Sequence, residues 1–156
     1  MITFKEINEK DLNILANIYG ATCLDSKTNE NWTYETALSY MQYFYSHQPD
    51  LFICAYDDDV PIGAVMSTLK PYYNGMRLIQ TEVFVSSDYE EQNIKEKLLE
   101  MHLKLASSKY HVSNICTISD NSSLDWFNKI GFEPNSNLDV LQGSLENCLQ
   151  KIKEKL

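Results

Sequence analysis

The sequence predicts a single α/β domain over residues 1–156, a mixed central sheet flanked by helices, with an extra helix at the C-terminal end. Three observations carry this. Runs with period-two alternation and runs with helical spacing succeed one another in the order β-α-α-β-β-β-α-β-α. A strong hairpin signal, Asp57-Asp58-Asp59 between two apolar runs, lies near the middle. The last residues carry Leu145, Leu149, Ile152 and Leu156 at helical spacing, with Lys151, Lys153 and Lys155 around them.

Residues 2–7 alternate as a strand. Asn8, with Asp11 three residues on, opens a helix whose apolar face is Leu12, Leu15, Ile18 and Tyr19, and Gly20 is expected to fray or end it. Residues 25–31 are polar and read as a loop. Thr33 caps a second helix with Tyr34, Leu38, Met41 and Tyr45 at helical spacing, stopped by Pro49-Asp50. Residues 51–56 and 60–69 are the two strands of the hairpin. A turn over 71–75 leads to a third strand of this block, 78–85. A helix over about 90–107 carries Ile94, Leu98, Met101 and Leu105 on one face. Residues 112–119 read as a long strand and 121–129 as a short helix closed by Gly131. Residues 138–141 read as a short strand, and the last helix covers about 143–156.

A chain of 156 residues is long enough for one real core. The net charge of −9 disfavours nucleic acid and anionic membrane as partners, because phosphates are repelled, and suits cationic ones. No run reaches the roughly 18 apolar residues of a membrane span. Cys23, Cys54, Cys116 and Cys148 form no CxxC pair, and Met1-Ile2-Thr3-Phe4 reads as the opening of a strand, so no signal peptide is expected before them, and reduced thiols and a cytoplasmic location are expected. His47, His102 and His111 lack ligand spacing, and no metal site is expected.

The stretch from Ser86 to Lys95 joins a strand to a helix, a geometry that aims backbone N–H groups at one point and favours an anion. Its side chains oppose one: Asp88, Glu90 and Glu91 are acidic, and no glycine is present. Two like charges about 4 Å apart repel by roughly 4 kcal/mol at an effective dielectric near 20. The alternative use of those carboxylates is a capping box, Asp88 with Glu91 or Ser87 with Glu90.

With these elements in place, the chain resembles the GNAT (Gcn5-related N-acetyltransferase) superfamily over nearly its whole length. Two runs carry the resemblance besides the order of elements: Val83-Phe84-Val85-Ser86-Ser87-Asp88-Tyr89, similar to the strand and loop before the family's pyrophosphate turn, and residues 121–132, Asn-Ser-Ser-Leu-Asp-Trp-Phe-Asn-Lys-Ile-Gly-Phe, similar to its second cofactor-side motif. The resemblance implies acetyl-CoA as co-substrate, lying between two splayed parallel strands that end at Val85 and Ser119. It implies contacts from Val83, Phe84, Val85, Gln92, Asn93, Ile94, Lys95, Asn121 and Phe127, and a small-molecule or peptide amine as acceptor. Four positions depart from the family pattern: Glu90 stands for Arg or Gln, Asn93 and Lys95 for small residues, and Phe127 for the tyrosine that protonates the leaving thiolate.

For acceptor chemistry the resemblance points to Glu82 as general base, with water as the alternative. Strand alternation puts Glu82 and Phe84 on one face and Thr81 and Val83 on the other, and leaves open which faces the cleft. Six aromatics within residues 32–45 fall where the family builds its acceptor wall, so Trp32 and Tyr34 are expected there, with Tyr72 and Tyr73 closing over them and Glu30 or Glu35 assisting. Two functions follow: N-acetyl transfer from acetyl-CoA to a primary amine, or a catalytically degenerate binding or regulatory protein on the same fold. The terminal stripe is expected on its own domain or, as a homodimer, on a second copy.

Overall fold

The computed structural model describes residues 1–24 and 30–156. The loop expected over 25–31 therefore lies mostly outside the described residues. The chain divides into two units, Met1–Ser123 and Leu124–Leu156.

In the first unit, five strands form one sheet in chain order: β1 (Ile2–Glu6), β2 (Ile53–Asp57), β3 (Val60–Tyr72), β4 (Gly75–Val85) and β5 (Asn114–Ile115). Neighbours pair antiparallel except β4 and β5, which are parallel. Helices α1 (Leu12–Leu24) and α2 (Tyr34–His47) cover one face, where Leu15, Ala16, Met41 and Phe44 close over Cys54, Tyr56, Ala64, Met66 and Phe84. Helix α3 (Ile94–Tyr110) covers the other, where Ala106 packs with Leu51 and Leu78. Burial of these apolar side chains is the main term that holds the layers together.

Local chemistry explains the joints. Asp58 and Asp59 both take left-handed backbone (φ 43° and 68°), the geometry of a two-residue hairpin turn. Thr33 and Thr36 form a reciprocal capping box at α2. Asn8 caps a 3-10 turn, Glu9–Asp11, that leads into α1. Asp11 does not complete that cap; it is buried and accepts from the Tyr56 hydroxyl at 3.0 Å.

Several expected boundaries are corrected. Gly20 neither frays nor ends α1, which continues to Leu24, because one glycine costs a helix only about 1 kcal/mol. The expected 71–75 turn shortens, since β3 runs to Tyr72 and β4 begins at Gly75. The expected helix over 90–107 begins as a 3-10 segment, Ser87–Gln92. It breaks at Asn93 (φ 54°, ψ 29°) and becomes α-helical only from Ile94. The 112–119 strand shrinks to Asn114–Ile115, because beyond it side chains bond locally or across to β4 rather than extend a ladder.

The second unit contains α4 (Leu124–Lys129) and α5 (Leu145–Lys153). The 121–129 helix thus starts three residues late. The expected strand over 138–141 is absent, and the Leu138 N–H donates instead to the Asn135 carbonyl in a turn. Ser144 caps α5, its side chain accepting from the Asn147 N–H. No helix among the described residues is long and apolar enough to cross a membrane.

Candidate active site

Strand β4 and the chain after β5 run side by side and then part. They pair at Arg77–Asn114 and Leu78–Ile115. Two further bonds hold them, Cys116 N–H to the Leu78 carbonyl at 2.8 Å and Thr117 Oγ1 to the Thr81 carbonyl at 2.8 Å. Past Thr81, β4 continues to Val85 with no strand on that side among the described residues.

The free edge is defined by the ladder opposite. The Ser86 N–H donates to the Ile62 carbonyl at 2.8 Å, so by antiparallel alternation Phe84 also bonds towards β3. Val83 and Val85 therefore turn their N–H and C=O groups into the gap. Gly63, opposite Val85, permits the close approach: a Cβ there would lie 2.5 Å from the Phe84 carbonyl oxygen and 2.8 Å from the Val85 Cα.

A cavity of about 350 Å³ occupies this region. Its lining follows β4 from Glu82 through Val83, Phe84 and Val85 to Glu90 and Lys95. Tyr19, Cys23 and Glu30 line it on the helical side, and Asp120, Ser122 and Ser123 beyond β5.

Glu82 faces the α1–α2 layer. Tyr40 Oη donates to Oε1 at 3.0 Å and Tyr19 Oη to Oε2 at 3.4 Å. Phe84, on the same face, packs edge-on against Tyr19 at 5.1 Å. Thr81 faces the opposite way, in a buried chain with Ser67 and His102 of α3 (2.9 and 2.6 Å). Burial raises the Glu82 carboxyl to about 7; the Tyr40 and Tyr19 hydrogen bonds pull it down, and Glu30 adds to the rise. Burial, with Glu82 beside them, pushes both tyrosine hydroxyls well above their ordinary range. The Cys23 thiol is raised by burial to about 11, so it stays protonated at neutral pH. A carboxylate that titrates near neutrality at the mouth of a free strand edge is suited to proton transfer.

The turn after β4 has three parts. Tyr89 is drawn outward, its hydroxyl donating to Asp57 at 3.0 Å. Asn93 supplies the left-handed residue that its type tolerates. Neither Ser86 nor Asn93, the residues that precede the two helical starts, makes a side-chain capping bond. Glu90 and Lys95 both line the cavity, while the Ile94 side chain is buried in the core and Gln92 is exposed.

The other expected residues separate. Trp32 joins the wall: its indole N–H donates to Glu30 at 2.9 Å, and its ring lies 5.2 Å from Tyr19 and 4.9 Å from Tyr40. Tyr34 turns away and donates to Asn13 at 3.1 Å. Tyr72 and Tyr73 pack on each other, with the Arg77 guanidinium 3.9 Å over the Tyr72 ring, and neither lines the cavity. Asn121 does not line it either, although its neighbours Asp120 and Ser122 do. Phe127, in the second unit, packs against Trp126 and Phe132, each at 5.0 Å. Tyr19, Cys23, Asp120, Ser122 and Ser123 line the cavity without having been singled out from sequence. Tyr19 carried a weak signal, a hydroxyl-bearing ring in an otherwise apolar helical stripe.

Among the described residues, no group of three or more His, Cys, Asp and Glu side chains is placed to hold a metal ion.

No family model matches the sequence, and no curated protein matches it. Solved structures do. A predicted acetyltransferase from Clostridium acetobutylicum with acetyl-CoA superposes with a TM-score of 0.72 at 15% identity, over 91% of this chain and 96% of that one. A possible acetyltransferase from Clostridium difficile gives 0.74 at 12% identity, over 92% and 99%. An aminoglycoside N-acetyltransferase in complex with CoA gives 0.67 at 14%, over 92% and 95%. At such identities the likeness concerns the fold, and the fold of this chain is that of the GNAT acetyltransferases.

Proposed function

We propose that this protein is an N-acetyltransferase that moves an acetyl group from acetyl-CoA to a primary amine, with Glu82 as general base. The observation that carries this reading is Glu82 itself: a carboxyl raised to about 7, held by two tyrosines, on the strand whose free edge opens into the cavity.

The residues present fit the co-substrate at one end and strain it at the other. The outward N–H and C=O groups of Val83 and Val85 match the amide-rich arm of CoA. The start of α3 at Asn93, Ile94 and Lys95 would offer the diphosphate the positive end of a 17-residue helix, and Lys95, which lines the cavity, would add its charge. Glu90 lines the same cavity and opposes that charge.

Bound acetyl-CoA supplies the thioester, in which the new N–C bond forms as the C–S bond breaks and sulfur leaves with the electron pair. Glu82, ionised above about pH 7, accepts the proton of the acceptor ammonium. Tyr40 and Tyr19 hold that carboxylate in place. The Val85 N–H polarises the carbonyl under attack. The test is thiol release with a panel of primary amines, compared with Glu82→Gln. Release that depends on Glu82 supports the reading.

Glu90 also motivates a second reading, a protein of this fold that binds without catalysing transfer. Absence of saturable acetyl-CoA binding by the unaltered chain, with binding gained on removing the Glu90 charge, would favour it.

A further inference from the structure

The acceptor end of the site has a second recess that the transfer chemistry does not use. It is a groove of about 560 Å³ along α2, lined by Trp32, Glu35, Thr36, Ser39, Tyr40 and Tyr43, with Gln80 of β4 at its edge. Thr36, Ser39, Tyr40 and Tyr43 share one helical stripe by their spacing. The groove is mostly apolar, and its lining contains one carboxylate and no lysine, arginine or histidine.

Groove and cavity are two sides of one aromatic wall. Tyr40 lines the groove, and its hydroxyl donates to Glu82, which lines the cavity. Trp32 lines the groove and donates its indole N–H to Glu30, which lines the cavity. Gln80 and Glu82 lie two residues apart on β4, joined through a bulge at which Gln80 takes φ 52°. A flexible ligand with one end at Glu82 can therefore lay its other end across the Trp32–Tyr40 pair.

The chemistry of the two recesses restricts what that ligand is. The acceptor side presents Glu30, Glu82 and Glu35 together with the rings of Trp32, Tyr40 and Tyr43. Carboxylates and π faces both favour cations, and a carboxylate or phosphate on the acceptor would meet Glu30, Glu82 and Glu35, the one cation among the described residues of the two linings being Lys95, which the reading above gives to the diphosphate. The reacting nitrogen gives up its positive charge, so it does not account for the acidity of the groove, which needs a second cationic centre.

We propose, on the basis of the transferase reading above, that the acceptor is an organic cation with at least two amino groups and no anionic group, a polyamine-type substrate. One nitrogen reacts at Glu82, while a second ammonium rests on the Trp32, Tyr40 and Tyr43 faces beside Glu35.

The test is calorimetric binding of spermidine, phenethylamine and γ-aminobutyrate to the whole chain and to Glu35→Gln, with acetyl transfer to each amine measured in parallel. Glu35 is exposed in the first turn of α2, so its replacement leaves the core intact. Spermidine is expected to bind at least about tenfold more tightly than phenethylamine, and Glu35→Gln to remove about that factor, as loss of one charged contact would. γ-Aminobutyrate is expected not to bind. Equal affinity for spermidine and phenethylamine, or no effect of Glu35→Gln, overturns the proposal even where phenethylamine is acetylated and the transferase reading stands. Binding of spermidine that depends on Glu35, with no transfer to any amine, upholds the cation site and overturns the transferase reading.

Discussion

Tyr40 Oη donates to Glu82 Oε1 at 3.0 Å, and this bond ties the middle of α2 to the end of β4 just past the point where the sheet opens. A residue of the helical layer thus holds the carboxyl proposed as base and lowers its proton affinity, against the larger rise that burial causes.

Glu82→Gln is expected to reduce kcat by about 100-fold or more, the usual worth of a positioned general base. In the unaltered protein, kcat/KM is expected to fall as pH drops through about 7, where Glu82 takes up its proton. A rate profile flat from neutral pH to pH 5 contradicts the assignment.

Tyr40→Phe removes a hydrogen bond that favours the ionised carboxylate. The acid limb of the rate profile is then expected to move to higher pH by about one unit, the worth of a hydrogen bond to a charged group. A fall in rate at all pH values with no shift of the limb would mean that Tyr40 acts only through packing.

Glu82 and His102 are expected to give stability slopes of opposite sign. The Glu82 carboxyl is raised from 4.5 to about 7, so folding is favoured while both states are protonated, below pH 4.5, and that advantage is lost as pH rises to 7. His102 is fully buried and lowered by burial from 6.5 to about 4, so its contribution is present above pH 6.5 and is lost as pH falls to 4. Each change is worth about 3 kcal/mol, and between them they nearly cancel in the unaltered chain. Urea melts of Glu82→Gln should show stability that declines with acid, and those of a polar His102 replacement should show the reverse. Parallel pH dependence in both variants contradicts the pair of shifts.

Gly63→Ala places a methyl 2.5 Å from the Phe84 carbonyl oxygen. The strands must separate beside the gap, at about 1–3 kcal/mol. Melting temperature is expected to fall, and acetyl-CoA affinity to fall with it because Val85 moves. An unchanged affinity would show that the β4 edge does not contact the co-substrate.

The layers were legible in the sequence because periodicity is local. The hairpin at Asp58-Asp59 and the Thr33 cap each rest on residues within one turn of each other, whereas the α3 stripe was half legible: Ile94 and Leu98 are buried, but Met101 is exposed and the buried face continues through Leu99, His102 and Ala106. Glu82 was legible as a candidate, but its face was not: that is set by Tyr19 and Tyr40, which lie 63 and 42 residues away. The shortness of β5 was hidden for a similar reason. Residues 112–119 alternate well enough for a strand, and only the Thr117 bond to the Thr81 carbonyl shows where pairing gives way to a gap. The break at Asn93 was half visible, since asparagine tolerates the left-handed backbone, whereas the 3-10 segment before it holds Tyr89, whose bond to Asp57 spans 32 residues of sequence.

The most direct measurement of the central claim is calorimetric titration of the whole chain with acetyl-CoA, repeated on Glu90→Gln. Glu90 lines the cavity and is exposed, so water screens much of its repulsion. Saturable one-to-one binding by the unaltered protein, tightened about tenfold by Glu90→Gln, is the predicted result. Failure of both proteins to bind would contradict the claim that the gap beside Val83 and Val85 holds the acetyl donor.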